Sequence, residues 1–185
     1  MPASGGAMTQ ILPKEANPLL DAGWFPDSKG ILFVYDRLQG TDGKFQIDVA
    51  NADGKNLKRL TSPAPLENGS VWSPNGKRIA FASGRIGNFE IWVMNADGSE
   101  QKRLTDEPKI DFCPVWSPNG KAIAFVSNRT GNYEIFVMHP DGTGLRNLSN
   151  HPGYDNFLAW PPDSRRLAWI SNRSGSHEIV VLELP

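Results

Sequence analysis

The chain has 185 residues, enough to bury a hydrophobic core as one domain. Its 19 basic and 20 acidic residues nearly cancel and are spread evenly, so no basic patch indicates a nucleic-acid partner and no acidic tail indicates a cationic one. The lack of any long apolar run in the sequence predicts that the chain does not insert into a membrane.

In chain order, a short segment at 7–12 comes first, and four units that each begin with tryptophan follow it. These heads recur at intervals of 48, 44 and 44 residues, and a fixed period of this length is typical of a propeller or another repeat architecture. We expect the head tryptophans to be structural; they are Trp24, Trp72, Trp116 and Trp160. The single domain, 1–185, then divides into repeats at 24–71, 72–115, 116–159 and 160–185.

Within the second repeat, the sequence predicts four short strands in succession. They cover 68–72, 78–83, 90–94 and 101–104, and Asn-Gly or Asp-Gly turns separate the first strand from the second and the third from the fourth. No segment has the length or period of a helix. Each repeat is therefore predicted to be a four-stranded antiparallel sheet in an all-β protein.

The second strand of each repeat is apolar on both faces. In the second repeat, Ile79 and Phe81 point one way, whereas Ala80 and Ala82 point the other. An antiparallel sheet with one face in water would alternate apolar and polar residues, so each sheet is expected to pack between two others. Twisted sheets stacked about an axis form the blades of a β-propeller.

The two ends of the sequence complement each other. The fourth repeat has no fourth strand, and Leu12 precedes Trp24 by the same 12 residues that separate the last strand's leucine from the next head in the complete repeats. We therefore predict that 7–12 is the outer strand of the last blade. One chain then closes as a four-bladed ring, or two chains exchange strands in an eight-bladed ring. We favour the monomer over the homodimer because a tethered strand has a high effective concentration.

The repeat resembles that of TolB-type, WD-repeat-like β-propellers. The resemblance rests on Trp-Ser-Pro-Asn-Gly-Lys, on Gly-Asn-x-Glu-Ile-x-Val-Met and on Asp-Gly followed by Arg-Leu-Thr, which all lie at 72–105; the second of these recurs, followed by Asp-Gly, at 128–142. It implies a propeller that binds protein partners, as TolB does in the Tol–Pal envelope system, or a propeller attached to a peptidase or a polysaccharide lyase. It also implies a periplasmic location if a signal has been removed, and otherwise a cytoplasmic one.

No catalytic motif is found in the sequence. A nucleophile elbow, a P-loop, a dinucleotide fingerprint and a His-Glu-x-x-His pattern are all missing. The histidines, His139, His151 and His177, do not recur at one position of the repeat. We therefore expect no metal, no cofactor and no catalysis; the alternative is a hydrolase or lyase that acts on sugars or peptides.

Two charged features recur at fixed offsets. An arginine precedes a glutamate across one loop in three repeats, and we predict structural ion pairs for Arg85 with Glu90, Arg129 with Glu134, and Arg173 with Glu178. An acid lies five residues before three of the heads, at Glu67, Asp111 and Asp155. These acids either form an acidic ring at the channel mouth or cap their own loops, and we favour the second interpretation.

One face of the propeller is predicted to carry function. The loops between strands two and three, and those that lead into the next blade, vary among repeats, whereas the opposite turns are uniform. The variable face holds the long loop 36–44, the three acids and several aromatic residues, namely Phe89, Phe112, Tyr133, Tyr154 and Phe157. We predict a protein or peptide partner that contacts Glu67, Asp111, Asp155, Phe112 and Tyr154.

Overall fold

The computed structural model describes residues 10, 19–36, 45–61 and 66–184. Every regular element in these residues is a strand, and no helix there is long and apolar enough to cross a membrane. The strands are β1 (Leu19–Trp24), β2 (Gly30–Asp36), β3 (Phe45–Asn51), β4 (Lys58–Arg59), β5 (Glu67–Trp72), β6 (Arg78–Ser83), β7 (Glu90–Asn95), β8 (Lys102–Arg103), β9 (Asp111–Trp116), β10 (Ile123–Ser127), β11 (Glu134–Met138), β12 (Arg146–Asn147), β13 (Asp155–Ala159), β14 (Arg166–Ser171) and β15 (Glu178–Glu183).

The strands form four antiparallel sheets in which sequence neighbours pair in order. Blade 1 contains β1–β4, blade 2 contains β5–β8, blade 3 contains β9–β12, and blade 4 contains β13–β15. The strand boundaries predicted for the second repeat agree with the structure to within one residue. The all-β prediction with four-stranded antiparallel blades is thus confirmed.

In blades 2 and 3, a glycine in the turn between the third and fourth strands lets the blade lie close against the preceding one. Gly98 has a φ of +91°, a conformation that side chains disfavour, and its N–H donates to the Asn95 carbonyl at 2.9 Å. A Cβ atom on Gly98 would lie only 2.6 Å from the Leu60 carbonyl oxygen of blade 1. The Asp-Gly turn therefore serves both the hairpin and the contact between blades.

Successive blades stack through apolar faces of different size. The rear face of blade 2, with Ile79 and Phe81, packs on Leu32 of blade 1. Its forward face, with Ala80 and Val93, packs on the rear face of blade 3. Blade 3 meets blade 4 in the same way, through Ala124, Val126, Leu167 and Trp169. The predicted burial of both faces of a sheet is confirmed.

The head tryptophans show where each blade meets the one before it. Trp116 is buried, and the Trp72 ring meets the Phe25 ring of blade 1 edge to face, with centroids 4.6 Å apart. Trp160 also packs against the preceding blade. Trp24 differs, because 62% of its surface is exposed. Three of the four heads thus lie at contacts between blades, and Trp24 lacks such a contact among the described residues.

The predicted ring closure is not seen in the part of the chain that the structure describes. No described strand of blade 4 contacts a described strand of blade 1, so the four blades form an open arc there. The predicted outer strand, 7–12, lies outside the described residues except for Gln10, which is exposed and in no strand. Most of the long loop, 37–44, also lies outside them. The pairing of 7–12 with β15 stays a prediction.

Candidate functional site

The inner strand of every blade carries a bulge three residues before its head. The bulge residues have a left-handed backbone, with φ of 51° at Asp21, 58° at Gly69, 50° at Cys113 and 55° at Phe157. A left-handed backbone costs free energy for a non-glycine residue. The bulge is therefore imposed by the geometry of the blade and not by the conformational preference of the residue at that position. The bulges of blades 1 and 2 also bond to each other, because the Gly69 N–H donates to the Asp21 carboxylate at 3.0 Å.

The three predicted acids lie beneath the variable face and are almost fully buried. Glu67 is 1% exposed, and Asp111 and Asp155 are 0% exposed. None of them accepts a backbone hydrogen bond in the described residues, so the predicted loop capping is not observed. Their burial also does not fit the direct partner contact that we expected of them.

Each acid instead pairs with the arginine of its own blade. Arg85 Nη2 lies 2.7 Å from Glu67 Oε1, and Arg129 Nη2 lies 2.7 Å from Asp111 Oδ2. In blade 4, Arg173 lies 3.5 Å from Asp155. The ion pairs predicted with Glu90, Glu134 and Glu178 are therefore wrong for these arginines, in the residues that the structure describes.

Strand register explains this choice of partner. Ser127 stands directly opposite Asp111 in the sheet, and Arg129 follows that serine by two residues. The arginine turns back, donates from Nε to the Ser127 hydroxyl at 2.9 Å, and covers the Phe136 ring with its guanidinium carbon 4.7 Å from the ring centroid. The stacked guanidinium then reaches the acid on the inner strand.

The glutamates have a different task, which is to hold the loop that leads into the next blade. Glu90 accepts from the Glu107 backbone N–H at 2.7 Å and from the Thr105 hydroxyl. Glu134 likewise accepts from the His151 backbone N–H at 2.8 Å. The recurring Glu of the Gly-Asn-x-Glu motif thus bonds to the loop that follows it, and not to the arginine with which we predicted an ion pair.

Burial affects the protonation of two of these carboxyls. It raises the pKa of Glu67 above its ordinary value of 4.5, and the charge of Arg85 opposes part of that rise. It also raises the pKa of Glu90, against the hydrogen bond from Thr105. Both groups hold their protons more tightly in the folded state than in the unfolded state.

This shift predicts a pH dependence of stability. As pH rises from about 4.5 through the raised pKa of Glu67, the unfolded state loses its proton first, so the free energy of unfolding falls. Glu67→Gln cannot titrate, and we expect its free energy of unfolding to fall less steeply over that range. Urea unfolding at a series of pH values measures this slope, with Glu100→Gln, at an exposed position, as the control. A wild-type slope in Glu67→Gln would contradict the assignment.

Three aromatic side chains form a continuous row across blades 3 and 4 on the variable face. The Phe112 and Tyr133 ring centroids are 5.5 Å apart, and those of Tyr133 and Tyr154 are 5.2 Å apart, both edge to face. The Tyr154 side chain is 38% exposed, and its hydroxyl accepts from Asn156 Nδ2 at 3.0 Å. Phe157, on the neighbouring inner strand, is 72% exposed. The structure thus places Phe112 and Tyr154, two predicted contact residues, at either end of one row.

A turn asparagine that recurs in two repeats fixes the outer end of this row. Asn132 Nδ2 donates to the His151 and Gly153 carbonyls, both at 2.8 Å, which anchors the loop that carries Tyr154. Sequence reasoning named Tyr133 only as one of several aromatics and missed its role as the link. The signal was available in its position next to Asn132, because Asn88 in blade 2 anchors the corresponding loop through the Glu107 and Lys109 carbonyls.

Other candidates for chemistry do not converge on a site. No group of three or more His, Cys, Asp or Glu side chains that could hold a metal ion is found in the described ranges. Cys113 is half-buried, and that burial raises the pKa of its thiol, which favours the unreactive protonated form. The aromatic row is therefore the candidate site.

Comparison with known proteins identifies what the repeats are similar to. A family model described as the TolB beta propeller domain matches residues 106–184. A putative TolB from Agrobacterium tumefaciens superposes with a TM-score of 0.81 at 22% identity over 92% of this chain. TolB from Acinetobacter baumannii superposes with a TM-score of 0.80 at 25% identity over 94% of it.

Residues 106–184 thus contain TolB-type β-propeller repeats, and the whole chain has the fold of TolB propellers. The chain spans 63% of the Agrobacterium protein and 42% of the Acinetobacter protein, so it corresponds to less than two thirds of either. A puromycin hydrolase S511A mutant in complex with PGG also superposes, with a TM-score of 0.76 at 14% identity, over 95% of this chain and 28% of the hydrolase. At that identity the likeness is one of fold alone. No curated protein sequence matches the chain.

Proposed function

We propose that this TolB-like chain is a non-catalytic scaffold that binds a protein or peptide on its variable face. The observation that carries the proposal is the row Phe112–Tyr133–Tyr154, whose rings contact each other edge to face and end at an exposed tyrosine. Tyrosine and other aromatic residues supply much of the binding energy at protein interfaces. The row therefore offers a protein or peptide partner a preformed aromatic surface.

The row is held in place before any partner arrives. Tyr133 touches a ring on either side, and the loop of Tyr154 is anchored by Asn132. Ordering a side chain on binding costs free energy, so rings that are already ordered bind more tightly for the same contact area. A partner with an apolar or aromatic anchor residue suits this surface, and the exposed Phe157 nearby extends it.

The buried acids support this surface without touching the partner. Arg129 bonds Asp111 and approaches Glu107 Oε1 at 3.6 Å, beside the strand that carries Phe112. Asp155 follows Tyr154 directly and pairs with Arg173. We therefore propose Phe112 and Tyr154 as the contact residues, and a positioning role for Asp111 and Asp155.

A peptide-display selection on the purified protein tests the proposal. Peptides selected on the wild type are expected to lose at least about 10-fold in affinity for Tyr154→Ala, since removing an interface anchor costs more than about 1 kcal/mol. Thermal unfolding checks that the variant remains folded. The matched control is Leu145→Ala, because Leu145 is 43% exposed and lies on the opposite face, beside His139 and Trp160.

Selected peptides should bind Leu145→Ala as they bind the wild type. Equal affinity for Tyr154→Ala, Phe112→Ala and the wild type would reject this face as the binding surface. The alternative of a hydrolase or lyase is not part of the proposal, because fold alone connects the chain to puromycin hydrolases. Turnover of a peptide or sugar substrate by the purified protein would overturn the non-catalytic assignment.

A further inference from the structure

The forward face of blade 4 is apolar and exposed. Ile179 stands opposite Ile170, and Val181 stands opposite Ala168, so these four residues share one face of the sheet. Ile179 is 77% exposed and Val181 is 58% exposed. Exposed β-branched residues on a sheet face indicate an interaction surface.

The same face is buried in the other blades. In blade 2, the register pairs Ala82 with Ile91 and Ala80 with Val93, which repeats the arrangement in blade 4 position by position. The four residues of blade 2 are at most 4% exposed, because the rear face of blade 3 covers them. The forward face of blade 4 therefore has the chemistry of a surface that receives another blade.

At the opposite end of the arc, the head tryptophan of blade 1 is also exposed. Trp24 is 62% exposed, whereas Trp116, at the corresponding position of blade 3, is 6% exposed. In the observed contacts the head tryptophan packs on the blade before it, as Trp72 does on Phe25. Trp24 is the same type of residue, but no described blade precedes blade 1 for its ring to pack on.

A serine in the adjacent turn adds an independent observation. Gly76 and Gly120 occupy one left-handed position of the head turn, but Ser28 and Ser164 occupy it in the first and last repeats, with φ of 60° and 58°. The Ser164 hydroxyl accepts from the Asn119 N–H of the preceding blade at 3.0 Å. This hydrogen bond between blades accounts for a serine in the strained left-handed conformation. No described residue bonds to the Ser28 hydroxyl.

We propose that the forward face of blade 4 binds the Trp24 end of blade 1 in a second copy of this chain. The contact repeats those between successive blades, so it continues an interface that the chain already contains. Repeat equivalence places Trp24 of one copy beside Pro161 of the other, and the Ser28 hydroxyl where it accepts from the Asp163 N–H. Such head-to-tail contacts either close into a ring or extend further.

The separation of blades 1 and 4 favours a second copy over closure within one chain. No described strand of blade 4 contacts a described strand of blade 1. Closure of the four blades within one chain would therefore require the buried contacts between blades to rearrange, whereas a second copy can meet the exposed face of blade 4 without such a rearrangement.

Cross-linking between differently tagged chains tests the contact. One chain carries Asp163→Cys and the other Ser28→Cys, both in a Cys113→Ser background whose thermal unfolding is checked. We expect a disulfide-linked dimer that contains one chain of each kind after mild oxidation of the mixture. Asp141→Cys, in an exposed turn of blade 3, replaces Asp163→Cys in the control mixture and should not cross-link. Cross-linking no greater than in the control would overturn the proposal.

The double variant Ser28→Cys/Asp163→Cys separates a second copy from closure within one chain. An intramolecular disulfide at monomer mass would overturn the proposal in favour of a four-bladed ring. Light scattering supplies the independent measurement: the wild type should have at least twice the monomer mass of 20.4 kDa, and Ile179→Lys/Val181→Lys should have the monomer mass. Ile86→Lys, at a 45% exposed loop position of blade 2, should leave the mass of the wild type unchanged. A wild type that is monomeric at every concentration would also overturn the proposal.

Discussion

Replacing Asp111 with alanine is expected to lower the free energy of unfolding by about 3–5 kcal/mol, because it leaves the Arg129 charge buried without its partner. Asp111 is fully buried, and the Arg129 side chain is only 10% exposed. The arginine is also held against Phe136 and bonded to Ser127, so it cannot move into water without giving up these contacts. Urea unfolding followed by tryptophan fluorescence measures the loss.

An exposed pair in the neighbouring blade provides the control. Asp106 lies 2.5 Å from Arg103, closer than the 2.7 Å of the buried pair, but its side chain is 80% exposed. Exposed ion pairs contribute little to stability, so Asp106→Ala should leave the free energy of unfolding almost unchanged. Equal losses in Asp111→Ala and Asp106→Ala would show that the buried pair does not hold the inner strand in place.

Replacing Phe125 with alanine is the second change with a large expected effect, a loss of about 3–5 kcal/mol. Phe125 is 0% exposed at the contact between blades 2 and 3, where it stacks on Phe136 with ring centroids 6.0 Å apart. Its removal leaves a cavity between two sheets that cannot collapse without moving both. Chemical denaturation of the variant and the wild type, compared at one temperature, measures the loss.

Phe157→Ala is the matched control, since it removes the same ring from an exposed position in the next blade. Phe157 is 72% exposed and already has a left-handed backbone, which alanine keeps. The change in the free energy of unfolding should stay below about 1 kcal/mol, as for other surface substitutions. A loss as large for Phe157→Ala as for Phe125→Ala would mean that Phe157 lies in a packed contact.

The fold could be predicted because its signals are local and repeat. The residues of each repeat predict the strands and turns of that repeat. The apolar pattern of β6 and its counterparts requires a neighbouring sheet on each face. Because the same pattern recurs at one period, each copy supports the strand assignment of the others. A single short strand would be ambiguous by itself. Whether four blades close was beyond the sequence, because closure depends on the angle between sheets. That angle is set by packing at contacts such as Phe125 against blade 2, and no residue pattern measures it.

The candidate site could be predicted only in part. Phe112 and Tyr154 were identified from their place in variable loops, but the partner of each arginine was not. Arg129 has an acid on either side of its strand, Asp111 and Glu134, and the sequence offers both. The choice follows from the loop of the next blade, whose His151 N–H occupies Glu134. This is a tertiary contact between residues 17 apart, and the offsets within one repeat do not contain it.

The central claim is that successive repeats stack face to face as propeller blades. Nuclear Overhauser effects between aromatic rings test it most directly, because two ring contacts cross from one blade to the next. We expect effects between Phe25 and Trp72, with centroids 4.6 Å apart, and between Tyr133 and Tyr154, 5.2 Å apart. The absence of both, in a protein that still shows the Phe125–Phe136 contact within one sheet, would contradict the stacking of the blades.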